Sequence, residues 1–152
     1  MTGLNLVVHL SIENMEKFNL EDRLIAFAVE TIKISENMPN SFAGNHLANQ
    51  LVRSSTSPAL NYGEAQSAES RRDFIHKLKV VAKELRETFV NLKIIVRSNL
   101  YKPDASLILK ENNELISIIV SSIKTAQKNQ AEDRKNRKIL IAKGSKNNKN
   151  LM

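Results

Sequence analysis

No cysteine occurs in the 152 residues. That excludes a disulfide framework, a thiolate metal site and a cysteine nucleophile. Tryptophan is also absent and aromatic residues make up only 5%, so any core is aliphatic. Four glycines and three prolines are few for this length and favour long uninterrupted elements over a turn-rich β architecture. The apolar patch at residues 4–12 (LNLVVHLSI) is far short of the roughly 20 residues that span a bilayer. No basic residue precedes it and no small-residue cleavage site follows, so it does not read as a signal peptide. The expectation is a cytoplasmic protein with no membrane role. There is no glycine-rich phosphate loop. The three histidines, His9, His46 and His76, are scattered and form no base–nucleophile–orienter set. The expectation is a protein that is not an enzyme, with no catalytic residues and no cofactor.

What is present fits one helical domain. The length suits a single core, and 41% of residues are apolar. The net charge of +7 is uneven: residues 130–152 carry seven basic and two acidic residues, leaving +2 for the first 129. The chain thus divides into a leader at residues 1–18, a nearly balanced body at 19–129 and a basic tail at 130–152. Met15 opens a second plausible start within the leader. The tail can extend the fourth helix but reads as mobile, with Ile139, Leu140 and Ile141 as its only apolar cluster.

Four amphipathic segments fill the body. Asn19 caps the first, with Leu20, Leu24, Phe27, Thr31, Ile34 and Met38 on one face before Pro39 ends it. The second starts near Ser41 and buries Leu47, Leu51, Ser54, Pro58, Asn61 and Ala65, with a bend expected at Pro58. The third follows Ser70, and its heptad seam runs Phe74, Leu78, Val81, Leu85, Thr88, Leu92 and Ile95. The fourth is capped by Asp104 and runs through Ala105, Leu109, Asn112, Ile116, Ile119, Ile123 and Ala126. Short connections between four such helices predict an all-α, antiparallel up-down-up-down four-helix bundle.

The run from Gln50-Leu51-Val52-Arg53 through the small residues 54–57, Asn61-Tyr62-Gly63-Glu64 and Glu84-Leu85-Arg86-Glu87 resembles the bacterial four-helix-bundle protein family. That family was first noticed as small proteins encoded inside intervening sequences of large-subunit ribosomal RNA genes. The resemblance covers residues 18–129 and rests on the order of the motifs together. It implies a bundle that assembles into a ring-like homo-oligomer, commonly a pentamer. A remote relative is the accessory protein of diversity-generating retroelements, a basic pentamer that works with a reverse transcriptase and nucleic acid. Possible partners are therefore RNA or DNA, a reverse transcriptase, or another protein. The leader and the basic tail depart from the family pattern.

Several constellations carry candidate chemistry. Opposite the third-helix seam runs a stripe with Arg72, Lys79, Lys83, Arg86, Lys93 and Arg97, roughly 37 Å long at 1.5 Å per residue. It reads equally as a line that tracks a phosphate backbone and as a solvated outer face. A ring would multiply it. In the tail, Arg134, Lys135, Arg137 and Lys138 lean towards nucleic-acid contact. Arg53, Ser54, Asn61 and Glu64 read as a structural polar cluster that sets helix register, ahead of a polar site. Asp73 and His76 form a lone Asp-x-x-His, which lacks the further ligands a di-metal bundle needs, so no metal site is expected. The leading functional expectation is an oligomeric bundle that binds nucleic acid, or an enzyme acting on it. The alternative is a structural or protein-scaffolding oligomer.

Overall fold

A computed structural model describes residues 19–149, with side-chain environments as far as residue 142. The leader lies outside the described residues. Four helices follow in order: α1 (Leu20–Glu36), α2 (Phe42–Gln66), α3 (Arg71–Arg97) and α4 (Ser106–Lys149). No strand occurs among the described residues.

Local chemistry sets the helix ends. The Asn19 side chain accepts from the Asp22 amide at 3.0 Å, Ser41 Oγ from the Gly44 amide at 3.1 Å, and Ser70 Oγ from the Asp73 amide at 3.1 Å. Each satisfies a backbone donor that has no partner within its helix. At the start of α4 the Asp104 carboxylate accepts from both the Ser106 amide and hydroxyl, each at 2.9 Å. These bonds favour the charged form and hold the Asp104 carboxyl below the usual range. The C-terminus of α3 closes on Asn99 at φ 56°. Leu100 N–H bonds Ile95 O and Asn99 N–H bonds Val96 O, both at 3.1 Å, which is the Schellman arrangement. Helix α2 continues through Pro58.

Each helix packs on its neighbour in sequence, α4 returns to α1, and among the described residues the backbones of the diagonal pairs make no close approach. That is a four-helix bundle. Cross-helix pairs give the directions. Thr31 meets Ser55 while Glu21 lies beside Gly63. Ser54 meets Thr88 while Glu64 pairs with Lys77. Asn112 meets the Leu85 carbonyl while Asp133 pairs with Arg71. In every case the numbers rise on one helix as they fall on the next, so neighbours run antiparallel.

The core is aliphatic, with Leu24, Leu51, Leu78, Leu85, Leu92, Leu115 and Ile119 fully buried and Phe27 the one fully buried aromatic among the described residues. The expected faces of α1, α2 and α3 point inward, with Leu20, Met38, Leu47, Asn61 and Phe74 half-buried at their ends and edges. Helix α4 differs. Its innermost positions are Ala105, Ile108, Glu111, Asn112, Leu115, Ile119 and Ala126. The expected Leu109, Ile116 and Ile123 sit half-buried on the shoulder. The helix is packed more closely on α3 than on α1, and this rotates the buried stripe towards α3.

Beyond Asn129 the sequence leaves room for a helical extension of a tail that reads as mobile. Helix α4 crosses that position without a break and continues to Lys149. Its 44 residues make a rod of about 66 Å, against about 40 Å for α3. Because α3 begins at Arg71, opposite Asp133, the remainder of α4 projects past the bundle end. Residues 131–142 are all exposed.

Gly44 marks the tightest point of the α1–α2 turn. A Cβ there would lie 2.1 Å from the Pro39 carbonyl oxygen and 3.0 Å from Ser41 Oγ. Gly44→Ala is expected to cost about 1–3 kcal/mol, because backbone must move to relieve the contact. An unchanged urea midpoint for this variant would contradict the turn geometry.

Candidate nucleic-acid interface

The seam of α3 faces inward, so the intervening positions project outward. Arg72, His76, Lys79, Lys83, Arg86 and Arg97 are all exposed. The antiparallel packing of α4 then lays its far portion beside the first turns of α3. Between them lies a groove of about 270 Å³. Arg72, His76 and Lys79 line it from α3, Gln127, Gln130 and Arg134 from α4, and Ile75 contributes its apolar floor. Two basic segments that are some sixty residues apart in sequence thus share one concave surface, and no carboxylate lines it.

The other stripe residues are placed differently. Lys83 Nζ lies 3.4 Å from Glu87 on the same helix, both exposed, a pair of little energetic weight. Arg86 lies in a separate groove between α2 and α3 that also holds Arg53 and Ser54. Lys93 is half-buried with its ammonium 5.1 Å from the centre of the Phe89 ring, a cation–π contact. Arg97 occupies the last turn of α3, where a cation suits the negative end of the helix dipole. Lys135, Arg137 and Lys138 are exposed on the projecting part of α4 and do not line the Arg72–Arg134 groove.

The four residues read as one polar cluster do not form one. Asn61 donates to the carbonyl and hydroxyl of Ser57 on its own helix, both at 3.0 Å. Glu64 is exposed and pairs with Lys77 across to α3. Arg53 is exposed, and only Ser54 is buried, accepting from Thr88 Oγ1 at 3.0 Å. At 3.6 residues per turn Arg53 and Glu64 fall on one line of α2 and Ser54 and Asn61 on the adjacent one, so distance along the axis, about 16 Å and about 10 Å, is what parts them. The buried polar contacts are instead Thr31 to Ser55 at 2.7 Å, Thr88 to Ser54, and Asn112 Nδ2 to the Leu85 carbonyl at 3.0 Å. Asn112 Oδ1 has no partner among the described residues. Thr31, Thr88 and Asn112 were legible as polar interruptions of apolar stripes, the pattern of register-setting groups.

Sequence reasoning missed the clamp between α1 and α4. Arg23 Nε donates to Glu111 Oε1 at 3.0 Å and Nη2 to Glu111 Oε2 at 2.8 Å, with Glu114 also within 3.1 Å of Nη2. The hydrogen bond to Glu111 is the main cause that raises the Arg23 pKa, against the opposing effect of burial. Glu111 is 4% exposed. Removing it leaves the guanidinium without its fork partner. Glu111→Ala should therefore lose about 2 kcal/mol, while Glu114→Ala at the solvent edge should lose less than about 1 kcal/mol. Equal losses in urea titrations would refute this ranking. No group of three His, Asp or Glu side chains placed to hold a metal occurs among the described residues.

The model of the 23S rRNA-intervening sequence proteins matches residues 16–121. This chain belongs to the 23S rRNA-intervening sequence protein family. The matched span includes all of α1, α2 and α3 and the bundled part of α4 as far as residue 121. It contains the α3 cations, whereas Arg134, Lys135, Arg137 and Lys138 lie beyond it. The bundle is similar to a crystal structure, at 1.70 Å resolution, of a protein of unknown function from the S23 ribosomal protein family of Bacteroides thetaiotaomicron VPI-5482. The TM-score is 0.64 and the identity 30%, over 70% of this chain and 99% of that one. No curated protein matches the chain. No helix among the described residues is long and apolar enough to cross a membrane.

Proposed function

We propose that this family member is a non-enzymatic, cytoplasmic, oligomeric bundle that binds the backbone of RNA or DNA. The carrying observation is the convergence of Arg72 and Lys79 from α3 with Arg134 from α4 on one groove without a carboxylate. Phosphates entering it release condensed counterions, which drives binding with little base readout. His76, Gln127 and Gln130 supply further polar atoms at the same surface. The description of the family by its place in 23S rRNA intervening sequences accords with work at nucleic acid. A ring, pentameric as the family resemblance implies, would repeat the groove and add avidity. A reverse transcriptase or another nucleic-acid-processing enzyme would then act on the strand the ring holds.

One observation favours the second reading, a protein-scaffolding oligomer. Ile25, Val29, Val90 and Ile94 are more than 40% exposed and Phe42 is 93% exposed. Apolar side chains of this kind suit contacts between copies or with a protein partner. Fluorescence anisotropy of a structured RNA and a matched DNA across a salt series separates the readings. Steep, shared loss of affinity with salt is expected. Absence of binding at low salt would leave the scaffold reading.

A further inference from the structure

A second groove, of about 520 Å³, lies between α2 and α3. Its volume falls within the range of small-ligand sites. Its chemistry differs from that of the α3–α4 groove. Arg53 and Arg86 bring two guanidiniums, and Glu84 and Glu87 two carboxylates, so the formal charge is zero. Glu87 is engaged by Lys83. Arg53, Arg86 and Glu84 make no ion pair among the described residues. Asn91 Nδ2 is 3.5 Å from Ser54 Oγ, too long for a strong bond, and Val90, 55% exposed, forms an apolar wall.

A phosphate gains little from a concavity with balanced charge. A neutral, flat ligand with both donors and acceptors gains more. We infer that the α2–α3 groove takes one unstacked guanine base of a single-stranded RNA whose backbone lies along α3. This inference rests on the phosphate-binding reading proposed above. Guanine presents O6 and N7 as an acceptor pair that matches the arginine fork. Its N1–H and N2–H are donors that match a carboxylate, here Glu84. No other standard base offers that combination. An unstacked base also lies well against a guanidinium plane. Arg86 continues the outward stripe that holds Lys79, about 10 Å further along the helix. A strand whose phosphates follow the stripe therefore delivers a neighbouring base to this groove.

The test uses the full chain and short uridine oligonucleotides carrying one central guanosine, inosine or adenosine, read by anisotropy at fixed salt. Guanosine should bind about tenfold tighter than uridine alone, the discrimination of one bidentate pair. Inosine, which lacks the N2 amino group, should fall between guanosine and adenosine. Glu84→Gln should remove most of the preference while the salt slope and the helical circular dichroism stay unchanged. Equal affinity for all four oligonucleotides would overturn the inference and leave phosphate binding standing. A guanosine preference that survives Glu84→Gln would overturn the assignment to this groove. Failure of every oligonucleotide to bind at low salt would remove both.

Discussion

Leu85→Asp abolishes the cooperative fold. Leu85 is fully buried on the α3 seam, and its carbonyl receives the Asn112 side chain from α4 at 3.0 Å. The substitution removes buried leucine, which by itself costs about 2–5 kcal/mol. It also places a carboxylate where the bundle core holds aliphatic side chains and no cation, at a further cost of several kcal/mol before the group neutralises. Together these approach or exceed the roughly 5–15 kcal/mol by which domains of this size are stable. The expected result is loss of the sigmoidal thermal transition and of most helical circular dichroism at 25 °C. Leu140→Asp is the matched control. Leu140 is 68% exposed on the projecting part of α4, so the same chemical change should shift stability by no more than about 0.5 kcal/mol. A folded, fully helical Leu85→Asp protein would refute the helix register described above.

The second large effect concerns binding. Reversal of Arg72, Lys79 and Arg134 together, each to glutamate, turns a groove of three strong cations into one of three anions. All three side chains are exposed, so the bundle should keep its helical signal and its melting midpoint. Affinity for RNA and for DNA should fall together by about a hundredfold or more at low salt. The slope of log affinity against log salt should become shallower by about 3, one for each phosphate that is no longer neutralised. A variant with the wild-type slope would place the interface elsewhere on the surface. Lys93→Gln offers a contrast within the same stripe. Its ammonium is engaged by Phe89, and it should leave the slope nearly unchanged.

These expectations draw on very different amounts of sequence information. The seam of α3 could be read directly, because Leu78, Val81, Leu85, Thr88, Leu92 and Ile95 repeat at spacings of three and four. All six are buried. Capping by Asn19, Ser41 and Ser70 could be read for the same reason, since a cap acts over three residues of chain. Helix α4 was read less well. Its apolar residues are dense enough to support two neighbouring stripes, and only packing against α3 selects Ile108 and Leu115 over Leu109 and Ile116. The polar cluster failed on a different ground. Arg53, Ser54, Asn61 and Glu64 share one side of α2, yet about 16 Å of helix separates the first from the last, and α3 claims Ser54 and Glu64. The Arg23–Glu111 clamp spans 88 positions, and no local pattern announces such a pair.

Sequence alone determined the all-α class, the four helices, their caps, the aliphatic core and the family, because each rests on short-range periodicity or on ordered motifs. The tertiary structure decided which charged residues meet. Packing α4 antiparallel to α3 set Arg134 beside Arg72 and Lys79, sent the rest of the basic segment past the bundle end, and left Arg53 and Arg86 facing a different groove. Side-chain charge is a property of each residue. A shared concave surface depends on helix rotation and on the offset between helices, and long-range packing of the core fixes both.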